Sequence, residues 1–200
     1  MRRWYGAEAF AGKWIGKGVP VQHADALADL LERQAVEFGA GDAAKAKSLS
    51  DELNKEFPLD TVLQNVALPS VRAATALQQR KPFQAIEVLG VSQPYELGQG
   101  TTSYLYPAYL RGEALLQSKQ PQRAAAEFRK LLDNPGIVGN FVSGALVHLQ
   151  LARAQAMMGD TEAARKSYQD FLTLWKDADP DIPIYQQAKA EYQKLQATGN

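Results

Sequence analysis

The chain of 200 residues contains no cysteine, only two histidines (His23 and His148) and only three tryptophans. Without cysteine there is no disulfide framework, no thiolate metal site and no cysteine nucleophile, and the redox compartment stays open. Two histidines leave little for metal or acid–base chemistry. Charge of one sign is also missing: 22 Lys and Arg face 22 Asp and Glu, and the pI is near 6.7. No global field therefore draws the chain to nucleic acid or anionic lipid, and nucleic acid is not expected as a partner. No run of about 18 apolar residues occurs, so no membrane span is expected. The basic start Met1-Arg2-Arg3 is interrupted by Glu8, Lys13 and Lys17 before any signal-peptide core could form. The expectation is no export signal, with cytoplasm or periplasm both open.

What the chain has in quantity is alanine and leucine, 31 and 23 residues. Both are strong helix formers, and alanine lets helices approach closely, so an all-α fold with almost no sheet is expected.

Self-comparison finds a period near 39 residues. Tyr109 to Leu116, a polar turn, and Arg123 to Leu132 match Leu149 to Ala156, the Gly159-Asp160 turn, and Glu162 to Leu172. Gly112 pairs with Ala152, Ala124 with Ala164 and Phe128 with Tyr168, each 40 positions apart. The frame extends backward through Gly41-Asp42 and Lys81-Pro82, so alanines 46, 85, 124 and 164 mark four copies. Within each copy, apolar residues recur at three- and four-residue spacing on both sides of a short turn, which predicts two antiparallel helices. Gly159 can end one helix and Asp160 cap the next.

This pattern resembles the tetratricopeptide repeat, whose second helix carries Ala-x3-aromatic. Ala124-x3-Phe128 and Ala164-x3-Tyr168 follow it, whereas Ser50 and Leu89 stand where the first two copies would carry the aromatic. The extra residues of each copy are expected in connections such as Asn134 to Asn140. The resemblance implies a right-handed helical solenoid over residues 23–178. After it, Lys176 to Pro183 breaks the helix, and Ile184 to Gln196 is expected as a capping helix within residues 179–200. Residues 1–22, with Trp4, Tyr5, Phe10 and Trp14, are expected to dock on the body near Leu27, Leu30 and Leu31, or to provide a self-association contact.

Tyr95-Glu96-Leu97-Gly98, Leu105 to Gly112, and Phe171 to Asp181 together resemble the repeat-bearing C-terminal region of bacterial eukaryotic-like serine/threonine protein kinases. That resemblance implies a sensory or scaffolding role. No Gly-rich phosphate loop, Val-Ala-Ile-Lys, His-Arg-Asp or Asp-Phe-Gly is present, so it carries no kinase activity.

Other constellations point away from chemistry. Gly6 to Lys13 has five residues between its glycines where a phosphate loop needs four. Gly98 to Ser103 follows no strand signal and reads as an inter-repeat loop. His148 lacks a second ligand at metal spacing and reads as a packed or partly exposed helix residue; His23 reads as a helix start. Asp177, Asp179 and Asp181 alternate without the glycine and distal glutamate of a calcium loop. No Gly-x-Ser-x-Gly occurs. The expectation is a noncatalytic chain with no cofactor and no metal.

What remains is surface. First helices of stacked pairs line a concave groove. That geometry nominates Tyr106, Tyr109, Glu113 and Gln117 in the third copy, and Leu149, Arg153 and Met157 in the fourth. Aromatic and aliphatic area with one acid and one base suits an extended peptide or a partner helix. The alternative is that Tyr106 and Tyr109 simply pack between repeats. A self-assembling structural solenoid is the other reading of the whole chain.

Overall fold

The computed structural model describes residues 43–97, 105–139 and 141–197, with the side chains of 43–46 and 49 outside that description. Expectations for residues 1–42 (the N-terminal segment, His23 and the Gly41-Asp42 turn), for the Gly98 to Ser103 loop and for the Ala46 side chain lie outside it. Among the described residues every regular element is helical and none is a strand. Helix α1 spans Ala43–Glu56. A π-helical turn, Leu63–Ala67, runs directly into α2, Leu68–Gln78. Then come α3 (Pro82–Val88), which passes into a 3-10 stretch (Leu89–Tyr95), α4 (Tyr106–Gln117) and α5 (Pro121–Asp133). A single turn, α6 (Pro135–Val138), leads to α7 (Ser143–Met157), α8 (Thr161–Leu174) and α9 (Pro183–Ala197).

Each helix packs on its chain neighbour, and α2, α4 and α7 also pack on one another in sequence. The result is a helical-repeat solenoid in which α2, α4 and α7 are first helices and α3, α5 and α8 are second helices. The apolar core runs continuously from α2 through α9, with Leu89, Leu115, Phe128, Val147 and Phe171 fully or almost fully buried.

The repeat is written most clearly in its turns. Arg80, Lys119 and Gly159 end the three described first helices with φ of 58°, 61° and 79°. The next residues, Lys81, Gln120 and Asp160, donate their N–H groups back to the carbonyls of Ala76, Leu115 and Gln155 at 2.8, 2.8 and 3.0 Å. This left-handed C-terminal motif satisfies carbonyls that the helix end would otherwise orphan. Pro82, Pro121 and Thr161 then start the second helices, where a missing N–H costs nothing. In the last copy the Asp160 carboxylate also accepts from the Ala163 N–H at 3.1 Å.

One turn into each second helix, Ala85, Ala124 and Ala164 have no exposed surface. On the facing helix, Gly112 makes the close approach possible: a Cβ built there would lie 2.3 Å from the Phe128 ring. At the C-terminal end, α9 buries Tyr185 and Ala188 and keeps its other side polar, as a terminal helix of a solenoid requires.

The second copy departs from the pattern. Its second helix, α3, has only seven residues, and the chain continues as a 3-10 segment containing Pro94. Leu89, at the aromatic's place, is fully buried where the α-helix stops.

Candidate functional site

The first-helix face is assembled from equivalent positions of successive helices. Ala74, Glu113 and Arg153 occupy one repeat position, and Gln78, Gln117 and Met157 the position one turn further on. Carried into α9, the first of these rows reaches Glu191. Gln78, Gln117 and Met157 are exposed, and Ala74, Glu113, Arg153 and Glu191 half-buried.

The structure sorts the nominated residues into two groups. Tyr106, Tyr109 and Leu149 lie in the core. The Tyr106 and Tyr109 rings stack with centroids 6.2 Å apart, Phe141 meets Tyr106 edge-on at 5.7 Å, and Phe128 lies 6.1 Å from Tyr109. These three nominated residues therefore pack between repeats instead of offering contact area, because their helix positions face the second-helix layer. Glu113, Gln117, Arg153 and Met157 remain at the surface.

Glu113 and Arg153 come together with the nominated Tyr109 and with Gln150, Glu191 and Tyr168, which the sequence did not nominate. The Gln150 amide Nε2 donates to the Glu113 carboxylate at 2.8 Å and to the Tyr109 hydroxyl at 3.2 Å. Tyr109 in turn hydrogen-bonds Glu113 through its hydroxyl. Arg153 is committed elsewhere: its Nε and Nη2 make a bidentate pair with Glu191 of α9, 2.9 Å each, and its Nη1 reaches the Gln150 Oε1 at 3.4 Å. The Tyr168 hydroxyl donates to the same Glu191 carboxylate at 2.9 Å. The base expected to orient a ligand is thus taken up by the chain's own terminal helix.

Electrostatics follow from this wiring. Burial pushes the Glu113 carboxyl up to about 7, against the opposing pull of the Tyr109 hydrogen bond and the Arg153 charge. Burial likewise raises the Tyr109 phenol, with Glu113 adding to it. For Arg153, burial works against the charge, but the Glu191 pair outweighs it and the guanidinium is held more firmly protonated.

A second cluster joins the second and third copies away from this face. Arg111, almost fully buried, donates Nη1 to the Leu89 carbonyl at 3.1 Å and Nη2 to Glu96 at 2.5 Å and to Glu127 at 2.9 Å. Lys130 closes the ring on Glu96 at 2.8 Å and Glu127 at 3.0 Å. Arg111 thus ties the start of the 3-10 stretch to α4. Burial disfavours the Glu127 charge, yet Arg111 and Lys130 outweigh it and hold its carboxyl below the usual range. The signal for this cluster was an arginine inside the apolar run Leu110-Arg111-Gly112, at the position Leu151 fills in the next copy.

His148 is half-buried, and burial lowers its pKa against the opposing field of Asp170. Asp177, Asp179 and Asp181 are exposed in the connection before α9. Among the described residues no group of three His, Cys, Asp or Glu is arranged to hold a metal ion, and no helix is long and apolar enough to cross a membrane.

Residues 147–178 match the tetratricopeptide repeat family model. The matched span covers most of α7, the Gly159-Asp160 turn and all of α8, which is the fourth copy. The match supports a tetratricopeptide repeat protein, a class that generally serves as a noncatalytic protein-interaction module. No curated protein and no solved structure matches the chain.

Proposed function

We propose that the chain is a noncatalytic scaffold that holds a peptide or a partner helix along the first-helix face, in a bacterial signalling or regulatory setting. The observation that carries this reading is the strip of equivalent positions, Gln78, Gln117 and Met157, exposed beside the half-buried row of Ala74, Glu113 and Arg153. A row of side chains repeated at the pitch of the solenoid is suited to an elongated ligand, which can meet several repeats at once. The setting rests on the likeness to kinase C-terminal regions described for Tyr95 to Gly98, Leu105 to Gly112 and Phe171 to Asp181.

The test is binding of randomised peptides to the purified chain, alongside its molecular mass in solution. The reading expects a monomer that retains a subset of peptides, with Met157→Ala weakening them several-fold. A stable dimer or filament that retains no peptide would favour the self-assembling alternative.

A further inference from the structure

We propose that Glu113 is the receptor for a basic side chain, Lys or Arg, of the bound peptide, so that the first-helix face selects a cationic ligand. The inference rests on the peptide-binding reading above and names the chemistry of its partner. Three observations on the face converge on it.

First, Glu113 is the charged group on this face with no ion-pair partner among the described residues. Its row neighbour Arg153 spends its Nε and Nη2 on Glu191 and turns Nη1 to the Gln150 Oε1. Second, the carboxylate is fixed before any ligand arrives: the Gln150 amide and the Tyr109 hydroxyl hold it from the core side. Tyr109 is itself fully buried and stacked, so this support cannot swing away. A preorganised acceptor loses little rotamer freedom when a cation binds. Third, the neighbours one turn on, Gln117 and Met157, are exposed and uncharged. They offer amide and thioether surface for the aliphatic stem of a lysine or arginine. An acidic ligand would meet the opposite situation, with Glu113 repelling it and Arg153 already neutralised.

The raised carboxyl of Glu113 fits the same picture. Burial outweighs the Arg153 charge, so with no ion pair among the described residues the carboxyl holds its proton to about pH 7, and a bound ammonium or guanidinium would release it. The groups that face it are Tyr109 on its own helix and Gln150 and Arg153 on α7; beyond Arg153 stand Glu191 on α9 and Tyr168 on α8. Neither tyrosine ionises in the neutral range, since burial raises both phenols, and Arg153 stays charged. Affinity for a basic peptide should therefore rise about tenfold between pH 6 and pH 8.

The experiment is a synthetic peptide array in which one central position is Lys, Arg, Gln or Glu and the flanking positions are randomised, probed with the full chain at pH 6 and pH 8. Binding of the selected peptides is then measured for Glu113→Gln, which keeps an oxygen for Gln150 and Tyr109, and for Gln117→Lys, an exposed change that repels a cation without touching the supporting residues. The expected result is selection of Lys and Arg, with loss of about tenfold in Glu113→Gln together with its pH dependence. Gln117→Lys should weaken the same peptides several-fold. Selection of neutral or acidic centres, or unchanged binding of basic peptides by Glu113→Gln, overturns the inference and leaves the peptide-binding reading standing. Retention of no peptide at all overturns both.

Discussion

Two polar clusters tie the repeats together, and they differ in how completely they are paired. Between the second and third copies, Glu96, Arg111, Glu127 and Lys130 form a closed ring of two acids and two bases, with Arg111 and Glu96 almost wholly buried. On the first-helix face, Tyr109, Gln150, Glu113, Arg153, Glu191 and Tyr168 form an open chain in which the Glu113 carboxyl has hydrogen bonds and feels the Arg153 charge but makes no ion pair among the described residues. The closed ring fastens the segment after the 3-10 stretch to α4 and α5. The open chain leaves Glu113 without an ion pair among the described residues, on the face that the repeats share. The buried ring specifies structure, with the Arg111 Nε its one atom lacking a hydrogen-bond partner among the described residues, whereas Glu113 is the group that our proposal assigns to a ligand.

The comparison breaks first at Arg111. Arg111→Met leaves Glu96 buried with only Lys130, and a loss of about 3–5 kcal/mol is expected in chemical denaturation. Retention of wild-type stability would mean that the ring is ornamental. Next is Gly112, where an alanine methyl would press into the Phe128 ring. Gly112→Ala should cost about 1–3 kcal/mol despite its better helix propensity, measured as a fall in the denaturation midpoint.

The open chain is sharpened by pH. Because the folded pKa of Glu113 lies above that of an unfolded carboxyl, the folded state holds the extra proton between about pH 4.5 and 7. Its contribution is present below that window and lost as pH rises through it. Glu113→Gln should therefore remove a decline in stability across this range, leaving the variant about 1–2 kcal/mol more stable than the parent at pH 8. Glu127 has the opposite sign: its depressed carboxyl stabilises the fold above the ordinary carboxylate range and loses that contribution as pH falls through its folded value. The smallest effect is at Lys119, held at φ 61°. Lys119→Gly should raise stability by about 0.5–1 kcal/mol, read in the same denaturation series.

Much of the fold was legible because the repeat uses residues with local consequences. The alanines at 85, 124 and 164 and the Gly159-Asp160 turn act within one helix pair, so a single sequence displays them. The capping helix was visible from the stripe of Tyr185, Ala188, Tyr192 and Leu195. The ring around Arg111 was not: Glu127 and Lys130 are an i,i+3 pair on α5, but no spacing rule links them to Arg111 on α4 or to Glu96 just after the 3-10 stretch. Tyr106, Tyr109 and Leu149 were nominated to the groove because an aromatic or leucine is equally apt for core and contact. Only the packing of Phe128 and Phe141 decides between the two. The Arg153–Glu191 pair had a signal: extending the row of Glu113 and Arg153 into the terminal helix lands on Glu191.

The most direct measurement is a side-chain carboxyl titration of the folded chain by carbon-13 NMR, with Glu113 and Glu127 assigned through Glu113→Gln and Glu127→Gln. The account predicts that Glu113 titrates near pH 7 while Glu127 titrates below the usual carboxylate range. Titration of Glu113 near 4.5 would contradict it, because the carboxylate on the first-helix face would then be as well matched as any on the surface.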